Sequence, residues 1–128
     1  MNKEELKYTK THEWIKIDGE IAIVGVTDFA QTQMGDIVFV DLPKIGIKVE
    51  KEKQACVVES VKSAFDIYSP ITGEIIEVNN DLSNDPAKIN QEPYGNGWIF
   101  KIKILNPSEV NDLMSYSEYE EFVKTQSH

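Results

Sequence analysis

The fold is decided by residues 54–69, QACVVESVKSAFDIYS. Residues 54–60 and 64–69 are both rich in β-branched and aromatic side chains, and only Val61-Lys62-Ser63 separates them. Two strand-like runs joined by so short a connection predict an antiparallel hairpin. Lys62 is therefore predicted to lie at an exposed hairpin tip.

Strand-like segments on both sides of this hairpin extend the prediction to a mainly β protein. They cover residues 13–17, 21–26, 36–41, 47–49, 74–78 and 98–104. Turn signals such as Asp18-Gly19 and Thr72-Gly73 separate them, as is typical of an antiparallel sandwich or barrel. Thr27 is predicted to cap a short helix over residues 28–33 that ends at Gly35.

Two further segments favour helix. The polar residues 79–90 predict a short helical turn, capped by Ser83 or Asp85, with Pro86 at its first position. Residues 106–126 predict a C-terminal helical segment, in which Ser108 caps residues 109–114 and Ser117 caps residues 118–124. We expect one domain over residues 1–128, with its core at about 8–104.

Composition limits the function classes. The chain has 128 residues, 41% of them hydrophobic and 27% charged, which is ordinary for one globular domain. Its net charge is −9 and none of its 13 basic residues is arginine. Phosphate binding needs clustered cations, so we expect no nucleic acid and instead attraction to basic protein surfaces. No apolar run approaches the ~20 residues of a membrane helix, so no membrane partner is expected.

The N-terminus and the cysteine content predict a location. Residues 1–6, MNKEEL, have the features of neither a secretory signal nor a transit peptide. The single Cys56 has no partner for an internal disulfide and suits a reducing compartment as a buried thiol. We therefore expect a cytoplasmic protein; a mature organellar form stays open.

Catalytic chemistry finds little support in the residues. No nucleophile is paired with a base, and two histidines, His12 and His128, offer no metal site. Lys62 by itself would be a surface cation, since an ordinary lysine pKa is about 10.4. Acylation would remove that charge and attach a flexible arm.

The residues around Lys62 resemble a known signature. Residues 59–64, ESVKSA, with Gly73 eleven positions after Lys62, resemble the lipoyl attachment motif of glycine cleavage H proteins. Five other blocks resemble that family in the same order: residues 11–14, 26–31, 35–40, 66–70 and 93–98. Together the blocks span roughly residues 8–104. Cys56 and Phe65 depart from the family pattern but leave the lysine motif intact.

The resemblance implies a fold and a task. The fold would be a lipoyl/biotinyl-type barrel-sandwich hybrid, a flattened antiparallel barrel. The chain would be a non-catalytic, monomeric carrier with lipoate attached covalently to Lys62. A pyridoxal-phosphate glycine decarboxylase would load an aminomethyl group, an aminomethyltransferase would take it, and dihydrolipoyl dehydrogenase would reoxidise the arm.

The resemblance also implies site residues. Glu59 and Gly73 would serve recognition by the lipoylating enzyme, although Glu59 also reads as a strand-edge carboxylate and Gly73 as a turn glycine at positive φ. Thr11, Glu13 and Asp66 would line a cleft that shelters the amine of the aminomethyl group. Asp66 reads equally as a solvated acid. His12 is interpreted as a packing residue.

Several alternatives stay open at this level. A lipoyl domain of a 2-oxoacid dehydrogenase would carry an acidic residue where Val61 stands, and a biotinyl carrier would carry methionines at Val61 and Ser63. A lipoyl donor to other complexes would share the motif. A β-sandwich enzyme lacks support, whereas an unmodified binding module is harder to separate on physical grounds.

Overall fold

The protein consists mainly of two antiparallel sheets. Its structure is a computed structural model that describes residues 2–126. The strands are β1 Lys7–Tyr8, β2 Glu13–Asp18, β3 Ile21–Val26, β4 Ile37–Asp41, β5 Lys48–Val49, β6 Gln54–Ser60, β7 Ala64–Tyr68, β8 Gly73–Val78 and β9 Phe100–Ile104. The helices are α1 Asp28–Met34, α2 Asp81–Asn84, α3 Lys88–Gln91 and α4 Tyr116–Gln126, with 3₁₀ helices at Lys3–Glu5 and Pro107–Asp112. His128, the second histidine of the sequence, lies outside the described residues.

The sheets differ in size and share one core. Six strands form the larger sheet in the order β1-β2-β3-β9-β8-β5, and three form the smaller in the order β4-β6-β7. Ile15, Val24 and Ile102 of the larger sheet join Val58 and Ile67 of the smaller one in a single buried cluster. Burial of each isoleucine or valine side chain contributes about 1.5–3 kcal/mol to folding. Because side chains alternate between the two faces of a strand, the face that carries these residues is the one that packs against the other sheet. The mainly β barrel-sandwich architecture is confirmed.

The β6–β7 hairpin is confirmed. Glu59 lies opposite Ala64, and the Ser60 N–H donates to the Ser63 carbonyl at 2.8 Å. The Ser60 hydroxyl oxygen accepts the N–H groups of Lys62 and Ser63, at 3.1 and 3.3 Å. The turn is therefore closed by its own backbone and one serine, and Lys62 stands at its tip.

The first helix also follows the prediction. The Thr27 side chain accepts the Ala30 N–H at 3.1 Å, and Gly35 ends the helix with φ +82°. An L side chain is strained at that φ, which is why glycine follows the last turn.

The segment 79–90 differs from the prediction. It forms two short helices, α2 and α3, instead of one turn, and neither Ser83 nor Asp85 caps them. Ser83 lies inside α2, Asp85 ends it, and Pro86 precedes α3 by two residues. The N-cap of α2 is Asn80, and the Oδ1 of the preceding Asn79 accepts the Asp81 N–H at 3.3 Å.

The C-terminal segment is helical, but the predicted caps Ser108 and Ser117 are wrong. Ser108 lies inside the 3₁₀ helix, and Ser117 lies inside α4. Ser115 begins α4 instead: its hydroxyl accepts the Glu118 N–H at 3.2 Å, and the Glu118 carboxylate accepts the Ser115 N–H at 2.9 Å. This reciprocal pair satisfies two otherwise free N–H groups, which favours the earlier start. No helix among residues 2–126 is long and apolar enough to cross a membrane.

Candidate functional site

Lys62 is exposed at the tip of the β6–β7 hairpin. Its neighbour Val61 donates its N–H to the Asp36 carbonyl at 3.0 Å, which ties the tip to the segment before β4. The Lys62 ammonium donates to the Gln33 carbonyl at 3.3 Å, at the end of α1. The tip thus rests on the connection between α1 and β4.

This lysine fits covalent attachment of an acyl cofactor. In the part of the chain that the structure describes, no ion pair involves Lys62. Its amine is exposed and holds one long hydrogen bond, which an acylated nitrogen could also donate. Attachment at this position would therefore bury no charge and break no core contact.

The two predicted recognition residues have different surroundings. Glu59 is exposed and lies between Phe39 and Ala64 across the smaller sheet. Gly73 is buried at the start of β8, between β5 and β9.

Gly73 is not a turn glycine, and the reading at positive φ is wrong. A Cβ at this position would collide with the Lys103 carbonyl oxygen and would stand 2.5 Å from the Ile102 side chain. Close approach of neighbouring strands therefore requires glycine here.

A cavity of about 440 Å³ opens beside β1, β2 and the end of β7. Its polar side includes Thr9, Thr11 and Glu13. Its apolar side includes Tyr8, Tyr68, Pro70, Leu113 and Met114. The C-terminal segment forms one of its walls, and an ion pair of 2.8 Å joins Lys51 and Asp112 at the rim.

Glu13 is the buried acid of this cavity, only 1% exposed. Both Thr9 and Thr11 donate their hydroxyls to its Oε1, Thr9 at 2.7 Å, and the Tyr68 N–H donates to Oε2 at 3.3 Å. Burial raises the pKa of Glu13 to about 7, against the opposing effect of these hydrogen bonds. The carboxyl can therefore change its protonation state near neutral pH.

The structure brings Thr11 and Glu13 together but not Asp66. Asp66 is exposed on β7 and accepts a hydrogen bond from the Gln54 amide at 2.7 Å. It shares a strand face with Tyr68, two residues further on, which lines the cavity. From Ala64 to Tyr68 the strand covers roughly 13 Å. Asp66 lies on this strand, between the hairpin tip and the cavity.

The sequence reading missed Thr9 and the Lys51–Asp112 pair. Thr9 lies in the turn between β1 and β2, and its hydroxyl reaches Glu13 only because that turn folds back on itself. Lys51 and Asp112 are 61 positions apart and meet only through the tertiary fold. No pattern in the sequence marks them.

Two other side chains are structural. His12 has φ 70°, and its Nδ1 lies 2.8 Å from the Tyr119 hydroxyl, with Phe29 and Phe122 around its ring. Burial raises the pKa of the Cys56 thiol to about 12, so this buried cysteine stays an unreactive thiol. Among the described residues, no group of three or more potential ligands could hold a metal ion.

Comparison with known proteins found relatives that match most of the chain. The family described as "Glycine cleavage H-protein" matches residues 6–126. A glycine cleavage system H protein of Acinetobacter baumannii is 52% identical over 91% of this chain and 94% of the relative. One from Endomicrobium trichonymphae is 53% identical over 94% of this chain and 97% of the relative.

A solved structure agrees as well. The crystal structure of a glycine cleavage system H protein from Mycobacterium marinum superposes with a TM-score of 0.85 at 37% identity, covering 92% of this chain and 95% of that one. Sequence and fold thus point the same way over nearly the whole length. The chain belongs to the glycine cleavage H-protein family, whose members are lipoyl carriers without catalytic activity.

Proposed function

We propose that this protein is the lipoylated carrier of a glycine cleavage system, with lipoate joined to Lys62 as an amide. The observation that carries the proposal is the exposed Lys62 amine at a tip closed by Ser60, inside the family's matched region. When bound, the lipoyl group supplies a disulfide that accepts and releases the aminomethyl group.

Lys62 and its hairpin provide the tether. Covalent attachment replaces diffusion between enzymes by an effective concentration set by the length of the arm. A closed, exposed tip keeps the attachment point fixed relative to the domain while leaving the arm free. The domain therefore presents one group to several enzymes in turn.

The cavity would shelter the cationic amine of the transferred group. Glu13 supplies the carboxylate, and the hydroxyls of Thr9 and Thr11 orient its Oε1. A cation next to a carboxyl group lowers its pKa, so Glu13 would ionise as the amine enters. Asp66 would attract the amine along β7, and the apolar wall of Leu113 and Met114 would exclude water.

The partners follow from the family. We propose that the carrier serves a pyridoxal-phosphate glycine decarboxylase, an aminomethyltransferase and dihydrolipoyl dehydrogenase, as a monomer of one domain in the cytoplasm. The lipoylating enzyme would contact the exposed Glu59, whereas the buried Gly73 would act on recognition by keeping β8 in place.

Lipoylation can be tested by mass spectrometry. The protein is incubated with a lipoate-protein ligase, lipoate and ATP, and its intact mass and peptide map are recorded. We expect one lipoyl adduct on Lys62 and none on Lys62→Arg. Lys53→Arg is the matched control, since Lys53 is exposed next to the opposite end of the same hairpin, and it should be modified like the wild type. An adduct on another lysine, or none on the wild type, would refute the assignment.

A further inference from the structure

The hairpin tip rests on residues 33–37, which we call the tip cradle. The Asp36 backbone carbonyl accepts the Val61 N–H at 3.0 Å, and the Gln33 backbone carbonyl accepts a hydrogen bond from the Lys62 ammonium at 3.3 Å. A Cβ built on Gly35 would lie 3.4 Å from Lys62 Cε, so the lysine stem passes over this glycine. The position of the cradle therefore decides where the tip stands.

The centre of the tip cradle, Gly35 and Asp36, lies outside regular secondary structure. Helix α1 ends at Met34, Gly35 has φ +82°, and β4 begins only at Ile37. The pairing of β4 with β6 then shifts register between Ile37 and Phe39. A bulge at this place interrupts the ladder that would otherwise fix the start of the strand.

One side chain from a distant part of the sequence fills this gap. Asn90, in α3, accepts the Ile37 N–H on Oδ1 at 2.9 Å. Its Nδ2 donates to the Gly35 carbonyl at 2.9 Å and to Gln31 Oε1 at 3.0 Å. Both amide hydrogens and the carbonyl oxygen are thus used to join the end of α1 to the start of β4.

We propose that Asn90 is a positioning residue for the attachment lysine, acting through the tip cradle. This inference rests on the proposed function, in which Lys62 is the lipoylated residue. Among the described residues, no hydrogen bond joins Asn90 to Val61 or Lys62. Asn90 holds the backbone to which those two residues are bonded. Without its amide, Ile37 N–H and the Gly35 carbonyl lose their partner, the Asp36 carbonyl moves, and the tip samples several orientations.

Asn79 offers a matched control. Its side chain is buried and also makes three hydrogen bonds, to the carbonyls of Asn96 and Trp98 and from the Asp81 N–H. None of these reaches the tip cradle. Asn79→Ala and Asn90→Ala therefore remove the same number of bonds from the fold but differ in their connection to Lys62.

The experiment measures two quantities on the whole protein: the hydrogen exchange rate of the Val61 amide, and kcat/KM for lipoylation by a lipoate-protein ligase. In Asn90→Ala we expect Val61 exchange to accelerate on the order of tenfold, because its acceptor is no longer fixed. We expect kcat/KM to fall by a similar factor, since a misplaced reacting group slows transfer. Asn79→Ala should leave both quantities at wild-type values.

Asn90→Asp provides a second variant in case alanine prevents folding. It keeps an acceptor for Ile37 but loses both donors, so Val61 exchange should still accelerate. Wild-type Val61 exchange in both Asn90 variants, or equal acceleration in Asn79→Ala, would overturn the inference. If the wild type is lipoylated elsewhere than Lys62, the proposed function fails, whereas the Val61 measurement still decides whether Asn90 positions the tip.

Discussion

At the scale of single residues, Lys62 and Glu13 have opposite environments. Lys62 is exposed and is suited to modification, whereas Glu13 is buried in a cavity among hydroxyl groups. An exposed amine costs the fold nothing before it is acylated. A buried carboxyl group, in contrast, is destabilised when it ionises without a cation beside it. A cation beside Glu13 would therefore favour the ionised form of its carboxyl group.

This environment makes stability depend on pH. Burial raises the pKa of Glu13 from 4.5 to about 7, so between these values the folded protein keeps a proton that the unfolded chain has released. The free energy of unfolding should fall as pH rises through this window, by about 3 kcal/mol in total, and then level off.

Glu13→Gln tests that dependence. The variant cannot ionise here, so its free energy of unfolding should lose about 3 kcal/mol less than that of the wild type between about pH 4 and pH 8. Urea unfolding across this range measures it. Glu20→Gln, at an exposed turn, should keep the wild-type pH profile. An unchanged profile in Glu13→Gln would show that its carboxyl group is not perturbed.

Features that depend on residues close together in the sequence could be predicted from it. The position of Lys62 at a hairpin tip was predicted because both strands and the turn lie in one local stretch, residues 54–69. Lys51, Asp112 and Asn90 were not, because each acquires its partner only when distant segments meet. Gly73 was found but misread: the steric need for glycine comes from Ile102 and Lys103 of another strand, which no local pattern displays.

At the scale of elements, the β6–β7 hairpin and α1 follow from turn and cap chemistry that the sequence states directly. The cap of α4 was mistaken, because both Ser115 and Ser117 stand three residues before a glutamate. Strand β1 is only two residues long, too short for a pattern, and it is defined by pairing with β2 and with Met114. Tertiary contacts decided these elements.

Helix α4 is fastened to the barrel by Tyr119. Its ring stacks on Tyr8 with centroids 4.6 Å apart, and its hydroxyl lies 2.7 Å from Thr27 Oγ1 and 2.8 Å from His12 Nδ1. Burial lowers the pKa of His12, which favours the neutral imidazole. Its Nδ1 can then accept a hydrogen bond from the Tyr119 hydroxyl. The helix thus joins the cap of α1 through one hydroxyl group.

Tyr119→Phe should reduce the free energy of unfolding by about 1–2 kcal/mol, because it removes the hydroxyl that pairs with the buried Thr27 while keeping the ring. Urea denaturation at neutral pH measures the loss. Tyr116→Phe, on the same helix but at a more exposed position, should change stability by less than about 0.5 kcal/mol. Equal effects of the two substitutions would argue against this attachment.

At the scale of the whole molecule, the fold keeps the Lys62 tip apart from the cavity that contains Glu13. The smaller sheet carries Lys62 at one end, and the cavity with Glu13 lies at the other end of β7. The net charge of −9 without arginine suits transient contact with basic surfaces of several enzymes. In the proposed function, the arm at the tip would meet each enzyme in turn, while the cavity would protect the group that the arm carries.

The central claim is that glycine chemistry passes through Lys62. The most direct measurement is exchange of labelled carbon dioxide into glycine by the glycine decarboxylase, with the lipoylated protein as its only carrier. We expect exchange with the wild type and with Lys53→Arg. Lys62→Arg, treated identically with the ligase, should reduce the rate to that of the decarboxylase alone. Exchange at the wild-type rate with Lys62→Arg would contradict the account.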